Sequence, residues 1–367
     1  MKAIVFPGQG SQSRGMGGDL FSAYPALVEI ADSILGYSVS ALCMDDPDNL
    51  LNQTAYTQPA LFVVNVLNFH RHLEGGHPTP KVYAGHSLGE YNALYAAGAL
   101  SFEQGLHLVK KRGELMAEAR GGAMAAILGL PASAVAEQLA VAALSNVDVA
   151  NFNEPMQTVI SGDATQVQES ESVFSSLGAR FIPLNTSGAF HSQQMAGAGR
   201  EFEDFISSFN FSELNTPVIS NVTARPYVQS EIKSLLVRQI SSPVKWLQSI
   251  SYILDIGVDD FEELGDSVVL SRMIEKIRRA PRERSLVEVG LSENLDRAEQ
   301  IGDAKLGDAK SQIDHWNRFH PIGSTVYIKG DPQPKSSVSA ALVLFGHRAA
   351  IYLDGSKGYF ALDDLTA

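Results

Sequence analysis

The chain has 367 residues, with 28 basic and 41 acidic side chains and a formal charge of −13 at pH 7. Hydrophobic residues make up 45% of it, which is typical of a soluble globular protein and excludes a disordered or fibrous one. The length indicates two or three folding units. The acidic balance argues against a general binder of nucleic acid or of anionic membranes, because both need a surplus of Lys and Arg.

Cysteine and histidine usage limits the chemistry further. The single cysteine, Cys43, excludes an intramolecular disulfide framework and a cysteine-rich zinc site. No histidine pair has metal-ligand spacing with carboxylates, so we expect no bound metal. The opening apolar run, residues 3–6, meets Pro7-Gly8 at once and is too short for a signal peptide or a transmembrane helix. We therefore expect a cytoplasmic protein.

The first part of the chain alternates short apolar runs with longer helical patterns. Strands are predicted over residues 3–6 and 82–84, the second ending at Gly85. Helices are predicted over residues 20–35, 59–73, 90–97 and 102–120. This alternation indicates an α/β architecture with a largely parallel sheet.

From residue 122 to 187 the order of elements changes to β-α-β-β-α-β. Strands are predicted over 123–128, 147–152, 158–162 and 180–184, and helices over 133–143 and 164–177. This is the order of a ferredoxin-like unit. It reads as an insertion because the α/β pattern resumes at residues 218–220. The sequence thus predicts a large subdomain over 1–121 and 188–280, and a ferredoxin-like small subdomain over 122–187.

The last part of the chain has a different character. Residues 281–321 are polar and charged, which indicates a linker with some helix. From residue 322 the pattern predicts strands over 325–328, 339–345, 349–353 and 358–362, with a hairpin-turn signal at Asp354-Gly355. We expect a small β module over 322–367, whose aromatic side chains belong to its core.

The strongest chemical signal is a G-x-S-x-G motif, residues 85–89, between a predicted strand and a predicted helix. Glycines two residues to either side of Ser87 allow a strained turn that lifts its hydroxyl into a cleft. The helix N-terminus behind it offers backbone N–H groups to a developing oxyanion. Ser87 is therefore the candidate nucleophile, whereas His86 is expected to face away from the reaction.

A serine nucleophile needs a base, and His191 lies just past the inserted unit, where the chain returns to the main body. The alternative is that His191 is a hydrogen-bonded loop histidine. The glycine-containing loop of residues 6–12 follows the first strand, at the edge where α/β sheets bind ligands, and offers Gln9 as a polar donor. Arg112, in the helix over 102–120, either faces solvent or grips a carboxylate with its planar fork.

Several short motifs occur together in one order and spacing. They are residues 6–12, 85–90, 112–116, 189–192 and 238–244. With them, residues 1–280 resemble malonyl-CoA:acyl-carrier-protein transacylases, most closely the free-standing (trans-acting) acyltransferases of modular polyketide synthases. The resemblance implies an α/β-hydrolase-like large subdomain with an inserted ferredoxin-like small one, and an active site between them.

The resemblance also implies the catalytic groups. Ser87 would be the nucleophile and His191 its general base. The backbone N–H groups of Gln9 and Leu88 would form the oxyanion hole. The backbone carbonyl of Gln239 would orient the histidine in place of a carboxylate.

Two further residues would select the substrate. Arg112 would pair with the free carboxylate of malonate and so exclude acetyl groups. Phe190, beside the histidine, would favour malonyl over methylmalonyl groups, because a bulky ring would stand where the α-methyl group lies. The alternative is that Phe190 is an ordinary core residue.

The implied reaction is a ping-pong transfer of malonate from malonyl-CoA, through an ester on Ser87, to the phosphopantetheine thiol of an acyl carrier protein in polyketide synthesis. No cofactor is expected, since the partner carries the phosphopantetheine. The alternatives are a hydrolase that clears acyl groups from carrier proteins and a housekeeping transacylase of fatty-acid synthesis. A third, non-enzymatic alternative is a scaffold protein whose acyltransferase part is vestigial.

The expected partners follow from that reaction. They are the acyl carrier protein, malonyl-CoA and, through the β module of residues 322–367, polyketide synthase modules. We expect no nucleic-acid or membrane partner and a monomeric chain. Acidic carrier proteins require a basic docking patch despite the overall charge of −13. Its candidates are Lys110, Lys111, Lys276, Arg278 and Arg279.

Overall fold

The computed structural model describes residues 1–186 and 188–280 and, beyond them, 312–313, 315–318, 320, 324–328, 333–337, 342–344, 348–353, 359–362 and 365–366. The chain divides into two compact units. The first contains Met1–Ala126, Asn146–Gln168 and Ile182–Ala280, and the second contains Ile127–Ser145, Glu169–Phe181 and Pro281–Ala367. The domain boundaries drawn from the sequence stay predictions.

Strands and helices alternate up to residue 280. The strands are β1 Lys2–Phe6, β2 Val82–Gly85, β3 Gly122–Leu128, β4 Val147–Glu154, β5 Gln157–Asp163, β6 Arg180–Pro183, β7 Val218–Ile219 and β8 Asp260–Glu263. The helices are α1 Leu20–Ala23, α2 Pro25–Leu35, α3 Val39–Met44, α4 Thr54–Glu74, α5 Gly89–Ala96, α6 Phe102–Glu118, α7 Ala132–Val141, α8 Ala164–Ser176, α9 Ala196–Ser207, α10 Ile232–Gln239, α11 Trp246–Asp255 and α12 Val269–Arg279. No helix in the described part of the chain is long and apolar enough to span a bilayer.

The sheet that contains β1 and β2 is parallel, as the α/β pattern predicts. Its strand order is β7-β2-β1-β8, and every neighbouring pair is parallel. Phe6 of β1 lies opposite Gly85 of β2, so the glycine-containing loop and the serine turn leave the sheet at the same carboxyl edge. This is the edge at which open α/β sheets bind ligands. The apolar faces of α11 and α12 cover part of this sheet, with Trp246 fully buried.

Two predicted helices differ in their bounds. The helix predicted over 20–35 is two helices, because Pro25 cannot continue α1 and instead opens α2. The helix predicted from Pro59 begins earlier, at Thr54, and carries Pro59 inside it. Most of α4 is buried, so tertiary packing outweighs the cost of an internal proline.

The inserted segment confirms the ferredoxin-like prediction. Its elements follow as β3, α7, β4, β5, α8 and β6, and the sheet order is β4-β5-β3-β6. The hairpin of β4 and β5 is antiparallel, with register shifts between Val149 and Asn151 and between Phe152 and Glu154. Val244, just before α11, bridges to Asn151 and so ties the β4 strand to the larger part of the first unit.

The final segment is a β module, as predicted. Its described strands are β9 Thr325–Ile328, β10 Pro334–Ser336, β11 Leu342–Leu344, β12 Arg348–Tyr352, β13 Tyr359–Ala361 and β14 Leu365–Thr366. They form two three-stranded sheets, β10-β9-β14 and β11-β12-β13. The short strands β10 and β14 were not predicted. The Asp354-Gly355 turn and residues 281–311 of the predicted linker, 281–321, lie outside the described residues. Residues 312–313 and 315–318 of that linker are helical.

Candidate active site

The serine turn is built from glycines that no other residue can replace. Ser87 has a φ of 51°, in the left-handed region that costs energy for a residue with a side chain. A Cβ on Gly85 would lie 2.0 Å from the main chain of Gly89, and a Cβ on Gly89 would lie 2.0 Å from the carbonyl oxygen of Phe6. The turn can therefore pack against β1 only because both positions lack a side chain.

The structure brings Ser87 and His191 together, as predicted. Ser87 Oγ lies 2.8 Å from His191 Nε2, and His191 Nδ1 lies 2.8 Å from the carbonyl oxygen of Gln239. A carbonyl can only accept, so Nδ1 carries the hydrogen and Nε2 accepts the serine hydroxyl. The contact with Gln239 is the one that the resemblance implies. His191 itself has a φ of 60°, a second strained residue.

The histidine is held in its neutral form. Its side chain is buried, and that burial together with the nearby Arg112 cation lowers the pKa of His191 to about 3. The hydrogen bond to the carbonyl of Gln239 opposes this shift only in part. A neutral imidazole with a free Nε2 lone pair is the form that can take a proton from a serine hydroxyl.

Arg112 is buried next to the nucleophile, so the solvent-facing alternative is wrong. The residue is only 1% exposed. Its Nη1 donates to Gln58 Oε1 at 2.6 Å, and its Nη2 donates to Ser87 Oγ at 3.1 Å and to Gln239 Oε1 at 3.0 Å. Its Nε has no hydrogen-bond partner among the residues that the structure describes. A buried guanidinium with one unused donor is suited to bind a carboxylate.

The loop after β1 passes close to the serine turn. A Cβ on Gly8 would lie 2.3 Å from the carbonyl oxygen of His86 and 3.4 Å from the nitrogen of Leu88. No hydrogen bond within the described residues uses the backbone N–H of Gln9 or of Leu88. The Gln9 side chain donates to Thr54 Oγ1 at 3.2 Å. The oxyanion-hole role of these two N–H groups stays a prediction.

Two site residues were not found from the sequence, Asn221 and Gln58. Asn221 Oδ1 accepts the N–H of Ser87 at 2.7 Å, and its Nδ2 donates to the carbonyl of Gly85 at 2.7 Å. It thus supports the strained turn from both sides. Its position just after β7, at the carboxyl edge of a parallel sheet, is a signal that could have found it. Gln58 lies near the start of the largely buried helix α4, where nothing in the sequence marks it.

A buried carboxylate, Glu90, was also missed as a site residue. Its oxygens accept from the backbone N–H of Asn221 at 3.0 Å, from the Tyr227 hydroxyl and from Gln239 Nε2. Burial raises the pKa of Glu90 to about 7, against the pull of these donors and of Arg112. The residue directly follows the G-x-S-x-G motif, which is the signal that could have drawn attention to it.

Residues 3–305 match the acyl transferase domain family. The chain belongs to this family. The polyketide biosynthesis malonyl CoA-acyl carrier protein transacylase BaeC of Bacillus velezensis is 50% identical over 280 residues, 76% of this chain and 97% of BaeC. PksC of Bacillus subtilis, of the same description, is 48% identical over 281 residues, 76% of this chain and 98% of PksC. The polyketide biosynthesis protein ThaF of Burkholderia thailandensis is 50% identical over 278 residues, 76% of this chain, but the chain spans only 24% of ThaF.

Solved structures of transacylases have the same fold as the part of this chain that they match. The malonyl CoA-acyl carrier protein transacylase of Burkholderia pseudomallei superposes with a TM-score of 0.75 at 46% identity, over 77% of this chain and 99% of that one. A malonyl-transacylase in complex with its type II polyketide synthase acyl-carrier protein gives a TM-score of 0.72 at 36% identity, over 75% of this chain and 92% of that one. These matches confirm the predicted α/β acyltransferase fold.

The remaining predicted residues of the acyltransferase lie around this centre. Phe190 precedes His191 and is 5% exposed, and its role in selectivity stays a prediction. His86 points away from Ser87, its Nε2 lying 2.9 Å from Asn153 Oδ1 and its ring against Trp246. Within the part of the chain that the structure describes, no group of three or more His, Cys, Asp or Glu side chains could hold a metal.

Most of the basic residues considered for docking on the acyltransferase already have partners. Lys110 donates to the carbonyl of Ile34, Lys276 pairs with Glu154 at 2.9 Å, and Arg278 and Arg279 both pair with Glu275. The two pairs with Glu275 are exposed, and such pairs are weak and exchange readily for another anion. The basic end of α12 thus stays a candidate docking patch.

Proposed function

We propose that the protein transfers a malonyl group from malonyl-CoA, through an ester on Ser87, to the phosphopantetheine thiol of an acyl carrier protein. One observation carries this proposal. A single oxygen, Ser87 Oγ, lies 2.8 Å from a neutral imidazole nitrogen and 3.1 Å from a buried guanidinium. A nucleophile, its base and a cation for a substrate carboxylate therefore meet at one point.

The first half-reaction loads the serine. His191 Nε2 takes the hydroxyl proton while Ser87 Oγ bonds to the thioester carbonyl carbon. The negative charge that develops on the carbonyl oxygen is received by the N–H groups of Gln9 and Leu88. The C–S bond then breaks, and the CoA sulfur leaves with the proton that His191 returns. The product is a malonyl ester of Ser87.

The second half-reaction unloads the ester. The phosphopantetheine thiol gives its proton to His191 and attacks the ester carbonyl, and the serine oxygen recovers that proton as it leaves. The serine hydroxyl and the neutral histidine are restored. The chemistry uses the chain's own residues and needs no cofactor of its own.

Arg112 selects a diacid. An acyl group without a carboxylate leaves the buried guanidinium with an unused donor and no counter-charge. Breaking a buried pair in this way costs about 3–5 kcal/mol. That is ample to prefer malonyl over acetyl groups. It also favours transfer over general hydrolysis of carrier-bound acyl groups, because a hydrolase acting on unsubstituted chains has no use for a carboxylate-binding arginine beside its nucleophile.

The relatives favour polyketide synthesis over fatty-acid synthesis. BaeC and PksC, both named for polyketide biosynthesis, are 50% and 48% identical to this chain. The malonyl CoA-acyl carrier protein transacylase of Bacillus subtilis, whose name lacks that role, is 41% identical. Pairing the protein with carrier proteins of both pathways tests this choice. Faster malonylation of the polyketide carriers is expected, and faster malonylation of the fatty-acid carrier contradicts it.

Radiolabelled malonyl-CoA tests the reaction itself. We expect stable label on Ser87 that moves to an added carrier protein, and no label on Ser87→Ala. Ser172→Ala, at an exposed serine of α8 whose hydroxyl donates to the carbonyl of Glu169 in the same helix, is the matched control and should label like the wild type. A folded protein that forms no acyl-enzyme, or one that loses its label equally fast with and without carrier, contradicts the proposal.

Docking of the β module on a synthase is a separate proposal. The matches to BaeC and PksC cover 76% of the chain, whereas PksE of Bacillus subtilis, a polyketide biosynthesis protein, matches over 336 residues, 89% of this chain and 44% of PksE. Removing residues 322–367 should leave malonylation of an isolated carrier protein intact and slow transfer to carriers within synthase modules. Unchanged transfer to those modules contradicts it.

A further inference from the structure

The backbone N–H of Glu90 donates to the carbonyl of Ser87 at 3.2 Å, but its carboxylate bonds neither Ser87 nor His191. The residue is fully buried, and its two oxygens accept from three donors on separate parts of the chain. Oε1 receives the backbone N–H of Asn221 and the hydroxyl of Tyr227, while Oε2 receives Nε2 of Gln239. A carboxylate that only accepts is the one form of this side chain that satisfies all three donors.

One donor connects Glu90 to the serine. The same Asn221 that donates its N–H to Glu90 accepts the N–H of Ser87 on its side chain at 2.7 Å. It also donates to the carbonyl of Gly85 at 2.7 Å. Glu90 thus fixes the residue that fixes both ends of the serine turn.

A second donor connects Glu90 to the base. Gln239 holds His191 Nδ1 through its backbone carbonyl at 2.8 Å, and its side-chain Nε2 donates both to Glu90 and to the carbonyl of Ser87. Its Oε1 accepts from Arg112 at 3.0 Å. The side-chain amide therefore cannot rotate by 180°, because its NH2 group would then face the Arg112 guanidinium and its oxygen would face the carbonyl of Ser87.

Both residues of the pair need such support. Ser87 and His191 have φ values of 51° and 60°, and strained backbone of this kind persists only where its surroundings hold it. We propose that ionised Glu90 is a positioning residue of this site, which fixes Ser87 through Asn221 and His191 through Gln239. This deepens the proposed function and rests on the same Ser87–His191 pair.

Protonation of Glu90 gives a way to observe this role. A protonated carboxyl turns one acceptor into a donor. On Oε2 this donor faces Gln239 Nε2, and on Oε1 it can only reverse the hydrogen bond with Tyr227, whose own hydroxyl hydrogen then loses its acceptor. Burial raises the pKa of Glu90 to about 7, within reach of an ordinary pH series. The other ionisable groups facing it are Arg112 on α6, Tyr91 on α5 and Tyr227 after β7. Burial raises the pKa of both tyrosines, and a guanidinium stays charged, so none of the three titrates in that range.

The test uses an uncharged fluorophosphonate, which phosphonylates an activated serine and releases fluoride without any need for a malonyl carboxylate. In the wild type we expect the labelling rate of Ser87 to rise with pH, with a midpoint near the pKa of about 7 for Glu90. Glu90→Gln should label about 10- to 100-fold more slowly at high pH, since its amide places a donor against Gln239 or Asn221. Its rate should show no rise near that midpoint, because the titrating group is gone.

Two further variants sharpen the result. Tyr227→Phe removes a hydrogen bond that lowers the pKa of Glu90, so its midpoint should move to higher pH. Glu154→Gln removes another largely buried carboxylate, one that pairs with Lys276, and should change neither the rate nor the midpoint.

Three results overturn the inference. They are a wild-type profile without a rise in this range, a Glu90→Gln protein that labels at the wild-type rate, and a folded Glu90→Gln protein that is slow yet keeps the same midpoint. The first needs no variant, so poor folding of Glu90→Gln does not remove the test. Labelling by the probe without loading by malonyl-CoA would refute the malonyl transfer alone and leave the role of Glu90 standing.

Discussion

The two members of the reactive pair are held in different ways. Ser87 lies on a turn between β2 and α5, and its strained backbone is fixed by main-chain packing against Phe6. His191 lies in a loop, and its main-chain N–H and Nδ1 are both bound by carbonyls at the end of α10, those of Ile240 at 3.2 Å and Gln239 at 2.8 Å. The serine turn depends on close packing nearby in addition to the hydrogen bonds of Asn221, whereas the histidine depends on hydrogen bonds from a segment remote in sequence.

This difference predicts which substitutions are tolerated least around Ser87, the serine side, and around His191, the histidine side. The serine side should not tolerate added atoms, because its turn has no room for them. The histidine side should not tolerate lost polar partners, because the carbonyl of Gln239 fixes the orientation and tautomer of the ring. Arg112 and Glu90 belong to both sides, since each is linked to Ser87 and to Gln239.

The largest effect is expected from a single added methyl group on the serine side. Gly89→Ala places a Cβ 2.0 Å from the carbonyl oxygen of Phe6, where main chain meets main chain and neither can move aside. We expect the free energy of unfolding in urea to fall by at least about 4 kcal/mol. Gly197→Ala, in α9, has nothing within 4 Å of the new Cβ and should be neutral or slightly stabilising. Equal stability of the two variants would contradict the packing argument.

Arg112→Ala should have the next largest effect, because it removes the guanidinium that is bonded on both the serine side and the histidine side. We expect the kcat/KM of Ser87 acylation by malonyl-CoA to fall by about 10²- to 10³-fold, the equivalent of a broken buried pair. Acylation by acetyl-CoA should fall less, so the preference between the two donors narrows. Lys111→Ala, at the preceding residue of α6, which is only half-buried, should leave acylation from CoA unchanged. An unchanged donor preference in Arg112→Ala would show that the guanidinium does not read the carboxylate.

The pH dependence of stability tests the charge of Glu90, which is linked to both the serine side and the histidine side. Glu90 has its pKa raised from 4.5 to about 7, so between these values the folded protein holds a proton that the unfolded chain has lost, and stability falls as pH rises. His191, with a pKa lowered from 6.5 to about 3, gives the opposite slope below pH 6.5 and hides this effect in the wild type.

The difference between Glu90→Gln and wild type isolates the contribution of Glu90. The variant should gain up to about 3 kcal/mol relative to wild type between pH 4.5 and pH 7, measured by urea unfolding. A difference that does not change with pH would contradict the raised pKa.

The smallest effect is expected next to the base. Phe190→Ala should improve methylmalonyl-CoA relative to malonyl-CoA by about 10- to 100-fold, since one methyl group in a pocket is worth about 1–3 kcal/mol. Phe102→Ala, whose ring has the same 5% exposure but lies at the start of α6, should lose stability without changing the ratio. An unchanged ratio in Phe190→Ala would make Phe190 an ordinary core residue.

Much of the fold and part of the site could be predicted from the sequence because their causes are local. Short apolar runs between helical patterns gave the strands β1 and β2, and the β-α-β-β-α-β order gave the inserted unit. The G-x-S-x-G motif located Ser87 because the turn needs glycines at fixed positions on either side of it.

The rest could not be predicted because its causes are remote. Glu90 meets Asn221, Tyr227 and Gln239 only after the chain has crossed the inserted unit. Gln58 is one of several buried polar residues of α4, and no local pattern states what it will bind. Buried polar side chains receive their roles from their partners, and one sequence without its contacts does not name those partners.

The hydrogen bond from His191 to the carbonyl of Gln239 has a consequence for the kind of bond that this site can break. Gln239 offers His191 an uncharged oxygen, so the imidazolium formed in the reaction is stabilised less than it would be facing a carboxylate. The base is therefore modest in strength. A thiolate, with a conjugate acid of pKa about 8.5, departs with little assistance, whereas an amine departs only when it is fully protonated. The site thus suits acyl donors that are already activated, and we expect it not to cleave the peptide bonds of neighbouring proteins.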